Sequence, residues 1–278
     1  MRINREIITS RANPTVKWMA SLADKKGRER YSSFLAEGEK LTLETAVSGI
    51  PVSHIAVESS RAEALLPKLE LAFSGELYRD TELIILSDSA FEKISTERAP
   101  QGVISVVKHL DFFKRMDIIY MEEISSWSDE HILTLCSVRD PGNLGAVIRS
   151  AVAFGVDRIV LTDDCVDVYN PKTVRSAMGS LFKVKINVVS DLSEFITVFK
   201  SLGRRVFAAE LRDGAVSLAD AELSLSDTVI IGNEGHGIPE NISKLCTNSV
   251  YLPISDKTES LNASVAASIF MWEQSKNR

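Results

Sequence analysis

The stretch Ile132-Leu133-Thr134-Leu135-Cys136-Ser137-Val138-Arg139-Asp140-Pro141-Gly142-Asn143-Leu144-Gly145-Ala146-Val147-Ile148-Arg149 decides the fold class. An apolar run of strand length ends in a Pro-Gly turn, and an apolar helix follows, with Asn143 placed to cap it. Reading outward, the same alternation continues. Strands are expected at 132–138, 158–161, 184–189, 206–209, 228–231 and 250–252, and helices at 143–154, 171–178, 192–202 and 262–272. Strands alternating with helices at this spacing form a mostly parallel sheet covered on both faces. In such sheets ligands sit beyond the carboxyl ends of the strands, so the residues after each strand matter most.

Two further strand ends are chemically unusual. Val229-Ile230-Ile231 runs into Gly232-Asn233-Glu234-Gly235-His236-Gly237, three glycines in six residues after a buried strand. Glycine-rich turns at this position let a backbone approach a ligand, but the spacing is neither a dinucleotide fingerprint nor a P-loop. Val250-Tyr251-Leu252 leads through a polar loop into Ser260-Leu261-Asn262 and a helix that is apolar around most of its circumference. Such a helix is buried in the core or in a subunit interface. Arg149 lies inside an otherwise apolar helix, where a structural ion pair and a functional cation are both open.

Before this domain, helices are expected at 14–22, 39–47 and 89–94 and strands at 52–57, 83–86 and 103–107, a small α/β module. A charged, aromatic stretch without period separates the two. The expected domains are therefore 1–108, a linker over 109–128, and 129–278.

Composition narrows the function classes. The 278 residues are 45% hydrophobic and 25% charged, a globular balance, and no apolar run reaches the roughly 18 residues of a membrane span. No secretory signal opens the chain, so a cytoplasmic location is expected. Cys136, Cys165 and Cys246 are scattered and odd in number, against a disulfide framework. No two of the 4 histidines share a metal-ligand spacing, and no metal is expected. The net charge of -6 hides an asymmetry: residues 1–30 carry Arg2, Arg5, Arg11, Lys17, Lys25, Lys26, Arg28 and Arg30 against Glu6, Asp24 and Glu29, locally +5. That run is either a solvated face or a phosphate-binding one.

Taken together and in this order, DPGNLGAVIRSA, IIGNEGHGI and YLPI with SLNASVAAS resemble the three motifs of the SpoU (TrmH-like) family of RNA 2′-O-ribose methyltransferases, within the SPOUT superfamily. Ser176–Phe182 is similar to the family's segment between its first two motifs. Pro100–Val103 and residues 7–57 resemble parts of its small substrate-binding domain. The resemblance implies an α/β fold with a C-terminal trefoil-knot (SPOUT) domain, a small N-terminal α/β substrate-binding domain, S-adenosyl-L-methionine held in the knot, and a homodimer. It places backbone contacts to the cofactor's adenosyl part on Gly232, Leu252 and Leu261. It places Arg149, Asn143, Glu234, Ser260 and Asn262 at the catalytic pocket.

Arginine stays protonated, so the role implied for Arg149 is stabilisation of the 2′-oxyanion rather than proton abstraction. Asn143 and Asn262 would orient loops or substrate, and Glu234 would orient Arg149 or the ribose. In a family-like dimer Arg149 serves the cofactor of the other protomer. The expected partner is RNA, with ribosomal RNA favoured. Transfer RNA and a non-catalytic knotted RNA-binding protein are the alternatives, and a nucleotide-dependent oxidoreductase lacks its fingerprint. Two features depart from the family pattern: Leu135–Val138 precedes Arg139 where an acidic residue is usual, and His236 occupies a variable position and is assigned nothing.

Overall fold

Strand-forming sequence in the N-terminal third extends beyond its obvious apolar runs. The computed structural model describes residues 1–276. It divides into two units, the first formed by residues 1–110 with 167–183 and the second by 111–166 with 184–278.

The first unit comprises β1 (Arg2–Ile8), α1 (Pro14–Ser21), α2 (Lys25–Tyr31), β2 (Ser33–Glu37), α3 (Glu39–Val47), β3 (Val52–Glu58), α4 (Ala62–Ala72), β4 (Glu82–Leu86), α5 (Asp88–Ile94) and β5 (Val103–Lys108). Its sheet runs β1-β4-β3-β5-β2. The first three strands are parallel, while β5 runs antiparallel to both β3 and β2. Strand β1 was not expected, because Arg-Ile-Asn-Arg-Glu-Ile-Ile has no two-residue alternation and is exposed at most positions. It forms because an edge strand needs only backbone partners, which β4 supplies. Val16, Met19, Ile84, Phe91 and Ile104 pack in the core of this unit.

Arg28 departs from the basic run in which it was counted. Its side chain is 3% exposed and bonded to Asp167 at 2.6 Å. Further bonds reach the carbonyls of Leu22 at 3.0 Å and Ala23 at 2.6 Å. It is a structural cation, and the exposed basic residues around it are Lys17, Lys25, Lys26 and Arg30.

In the second unit follow β6 (Phe113–Met116), α6 (Met121–Ser125), β7 (Ile132–Leu135), α7 (Pro141–Ala153) and β8 (Arg158–Thr162). Helix α8 (Pro171–Ala177) belongs to the first unit. The second resumes with β9 (Lys185–Val189), α9 (Leu192–Ser201), β10 (Val206–Ala209), β11 (Val216–Ser217), β12 (Thr228–Ile231), α10 (Glu240–Ser243), β13 (Asn248–Tyr251) and α11 (Ala263–Ser275). Eight strands in the order β11-β13-β10-β12-β7-β8-β9-β6 make one sheet, every pair parallel.

The stretch expected as a linker thus holds β6, which pairs with β9, and α6. Its charged residues hid an edge strand whose middle positions are exposed. The central strands β7 and β12 are buried at all four positions, as strands covered on both faces must be. From β13, separated from β7 by β10 and β12, the chain returns in α11 to pack on α7 and β12. That return is what the knotted tail implied by the resemblance requires.

Removing the buried guanidinium by Arg28→Ala strands Asp167 and two carbonyls, and should lower unfolding free energy by about 3 kcal/mol. Lys26→Ala should change it by less than about 0.5 kcal/mol. Urea denaturation of the two variants beside wild type measures both. Equal stability of all three would show that the Arg28 network contributes nothing.

Candidate active site

Because every strand of the large sheet is parallel, the loops after β7, β10, β12 and β13 gather at one edge. Each is shaped by a specific local interaction.

After β7 the chain turns at Ser137, a non-glycine residue with φ of 58°. A left-handed serine is unfavourable unless its surroundings hold it. Here its amide donates to Thr162 Oγ1 at 2.8 Å, its hydroxyl to Asp164 at 2.6 Å, and its carbonyl accepts from Asn233 Nδ2 at 2.8 Å. Helix α7 then begins at Pro141, with Asp140 rather than Asn143 as its cap. The Asp140 carboxylate accepts from the Asn143 amide at 2.9 Å. Proline at the first helical position starts the helix two residues earlier than its apolar period indicates. This frees the Asn143 side chain for other partners.

The loop after β12 is a tight turn built by Asn233. Its Oδ1 accepts from the amides of Gly235 at 2.8 Å and His236 at 3.2 Å. Its backbone pairs with Gly237 in both directions, at 3.1 and 2.8 Å. Gly232 closes against the same turn, so that a Cβ there would lie 2.5 Å from the Gly237 carbonyl carbon. His236 is exposed.

These loops bring together residues that are far apart in the chain. Asn143 donates through Nδ2 to Glu234 Oε1 and accepts from Asn262 Nδ2 at 2.9 Å. Asn262 also caps α11 by accepting from the Ser264 amide at 3.0 Å. Beside this chain of contacts lies a cleft of about 740 Å³, whose walls include Gly232, Glu234, Leu252, Ser260 and Leu261. Its volume lies within the roughly 300–1,000 Å³ of small-molecule sites. Gly232, Leu252 and Leu261 are half-buried, and their backbone N–H and C=O groups bond to no other main-chain group among the described residues. Main-chain groups of this kind are open to water or to a ligand held by backbone recognition.

Arg149 stands apart. It is exposed and its side chain has no hydrogen bond or ion pair among the described residues, so neither the structural ion pair nor the orientation by Glu234 is seen. Six residues along a helix is about 9 Å of rise and about 240° of rotation, which turns it away from the Asn143 face. No group of three or more His, Cys, Asp or Glu among the described residues is arranged to hold a metal ion. Burial, with Glu210 adding to it, pushes the Cys246 thiol up to about 12, so it is a neutral thiol at physiological pH.

Residues 130–272 match the SpoU rRNA Methylase family, and residues 13–105 match the MRM3-like substrate binding domain. The chain belongs to the SpoU rRNA Methylase family. The 23S rRNA (guanosine(2553)-2′-O)-methyltransferase RlmP of Bacillus subtilis is 32% identical to this SpoU-family chain, over 95% of it and 97% of the relative. The 23S rRNA (uridine(2479)-2′-O)-methyltransferase of Streptomyces viridochromogenes is 28% identical over 98% of the chain and 92% of the relative. Among solved structures, the AdoMet-bound rRNA methyltransferase of Sinorhizobium meliloti superposes with a TM-score of 0.80 at 26% identity, covering 99% of this chain and 98% of the other.

Sequence reasoning on this SpoU-family chain missed Asp140, Ser137 and Asn233. Asn233 carried a local signal, an asparagine before a glycine-rich turn, where its side chain can bond amides two residues on, and Asp140 carried another, a capping residue directly before a proline.

Gly232→Ala should destabilise the folded state by about 1–3 kcal/mol, because the added methyl overlaps Gly237 and the turn must open. His236→Ala should leave the melting temperature within about 1 °C. Differential scanning calorimetry decides both, and a stable Gly232→Ala protein would mean that the turn is looser than its geometry indicates.

Proposed function

We propose that this protein is an S-adenosylmethionine-dependent RNA 2′-O-ribose methyltransferase acting on ribosomal RNA. The observation that carries the reading is the joining of Asn143, Glu234 and Asn262, from three separate strand ends, beside a cleft walled by Gly232, Leu252 and Leu261. The rRNA 2′-O-methyltransferases among its relatives support the substrate class.

Bound in the cleft, the cofactor would supply an electrophilic methyl group for a ribose 2′-oxygen, with S-adenosylhomocysteine as the leaving group and the hydroxyl proton passing to solvent. The chain's own residues orient and polarise. Backbone groups at Gly232, Leu252 and Leu261 hold the adenosyl part. Asn143, fixed between Glu234 and Asn262, keeps the strand ends in register and offers amide polarity to the ribose, and Ser260 adds a hydroxyl at the cleft wall. Arg149, a permanent cation, stabilises the developing oxyanion.

Arg149 reaches a reaction centre through a second copy of the chain. Near it, Phe154, Val265, Ile269 and Trp272 line an apolar groove between the end of α7 and α11, with Val265 47% and Trp272 53% exposed. Apolar exposure of this kind marks an interaction surface. A homodimer through this face would bury the groove and carry Arg149 towards the partner's cleft. The first unit, with Lys17, Lys25, Lys26 and Arg30 exposed, would meet RNA phosphates and make binding salt-dependent. A cytoplasmic workplace goes with that substrate and is part of the proposal.

Labelled methyl transfer from S-adenosylmethionine into separated ribosomal and transfer RNA, followed by nucleoside analysis, tests the reading. A 2′-O-methylnucleoside from ribosomal RNA is expected, with Arg149→Ala lowering the rate about 10²–10³-fold, as loss of an oxyanion-stabilising group does. A base-methylated product, or full activity of the variant, would overturn the assigned chemistry. Trp272→Glu should convert a dimer to a monomer by light scattering and abolish transfer; a monomeric wild type that is fully active would remove the partner's role.

A further inference from the structure

Glu210 follows the end of β10, forms part of the cleft wall, and has no part in the contacts that join Asn143, Glu234 and Asn262. Its amide donates to the Val250 carbonyl at 3.0 Å, which fixes its main chain beside β13. Its Oε1 accepts from Ser249 Oγ at 2.7 Å and from Ser243 Oγ, and lies 3.5 Å from Arg212 Nη1. Donors from three residues therefore converge on one carboxylate oxygen. Oε2 receives none among the described residues, although the side chain is only 21% exposed. A carboxylate has about four lone-pair sites, so this oxygen has unused capacity in a partly desolvated position. An ordinary surface glutamate is not clamped in this way, because water satisfies both of its oxygens.

Two kinds of ligand group could use that oxygen, a hydroxyl pair or a cation. The Arg212 guanidinium already offsets the charge of Glu210, which weakens attraction for a second cation but leaves the acceptor strength of Oε2. Position agrees with the hydroxyl pair. The register pairs Ala209 with Val250, so Glu210 stands across from Tyr251, immediately before Leu252, one of the residues whose backbone is assigned to the adenosyl part. We infer that Glu210 Oε2 accepts hydrogen bonds from the ribose hydroxyls of S-adenosylmethionine, with Ser243, Ser249 and Arg212 holding the carboxylate in place. The inference rests on the cofactor reading above and adds to it a charged side chain in a subsite otherwise held by main-chain groups.

Titration calorimetry tests it without turnover. S-adenosylhomocysteine, its 2′-deoxy and 3′-deoxy counterparts, and 5′-methylthioadenosine, which keeps the ribose but lacks the amino-acid ammonium, are each titrated into wild type, Glu210→Ala and Glu210→Gln. Wild type should bind at least one deoxy counterpart about 10- to 100-fold more weakly than the parent, the range for a hydrogen bond to a charged group. Glu210→Ala should bind the parent more weakly by a similar factor and no longer distinguish parent from deoxy counterpart. Glu210→Gln, which keeps the side-chain shape and one acceptor oxygen, should retain part of the discrimination, and it serves if the alanine variant does not fold.

Equal affinity of wild type for parent and both deoxy ligands overturns the inference, as does an undiminished deoxy penalty in the variants. If the variants instead lose discrimination against 5′-methylthioadenosine, the carboxylate holds the ammonium and the ribose assignment is wrong. Failure of wild type to bind S-adenosylhomocysteine or S-adenosylmethionine at all would overturn the cofactor reading itself, a result distinct from these.

Discussion

The carbonyl of Ser137 accepts a 2.8 Å hydrogen bond from Asn233, and this contact ties the loop after β7 to the loop after β12. Both partners are committed to it. Ser137 is held in a left-handed conformation by Thr162 and Asp164, so its carbonyl cannot rotate freely. Asn233 spends its other side-chain atom on the Gly235 and His236 amides, so its donor is aimed by the turn that it builds. With these two loops fixed, Glu234 follows directly from Asn233, and Asn143 meets it from the start of α7. The geometry of the candidate site is therefore set in part by Ser137, which does not line the cleft, and by Asn233, which does.

The two edges of the large sheet are built on opposite principles. Where its strands begin, buried arginines fasten the chain. Arg204 donates to the carbonyls of Ser226 at 2.6 Å and of Trp127 and Glu130 at 2.7 Å. Arg158 bonds Glu130, which Lys185 also reaches at 2.7 Å, and lies 3.8 Å from the Trp127 ring centre. Each buried guanidinium there makes three hydrogen bonds, which makes its burial tolerable. Where the strands end, the acceptors and main-chain groups of Glu210, Gly232, Leu252 and Leu261 are left with capacity unused. A rigid edge and a receptive edge are what a binding cleft needs, since the side chains that shape it must not relax when a ligand arrives.

Much of this was legible before the fold was known. The strands of the second unit show as apolar runs because a parallel sheet buries both faces, and β10 and β12 have the bounds that their sequence indicates. Gly232, Leu252 and Leu261 were found from motif order and fall in one cleft wall. Edge strands with few buried positions, such as β1 and β6, left no periodic trace. The same holds for caps: Asp140 and Asn143 are equally good capping residues by type, and only the helix start at Pro141 separates them.

The sequence by itself determined the alternation of strand and helix, and with it the edge of the sheet at which chemistry gathers, because hydrophobic period and turn residues act over a few neighbours. Only the tertiary structure decided which polar side chains meet. Arg28 reads like any surface cation until Asp167 is found 2.6 Å away, 139 residues along the chain. Arg149 reads as a pocket residue, but its helix face turns away from Asn143, so the proposed role needs a second copy of the chain; Glu210 is marked locally only by its place after a strand. Their roles follow from partners brought close by folding, whose separations along the chain leave no pattern in the local sequence.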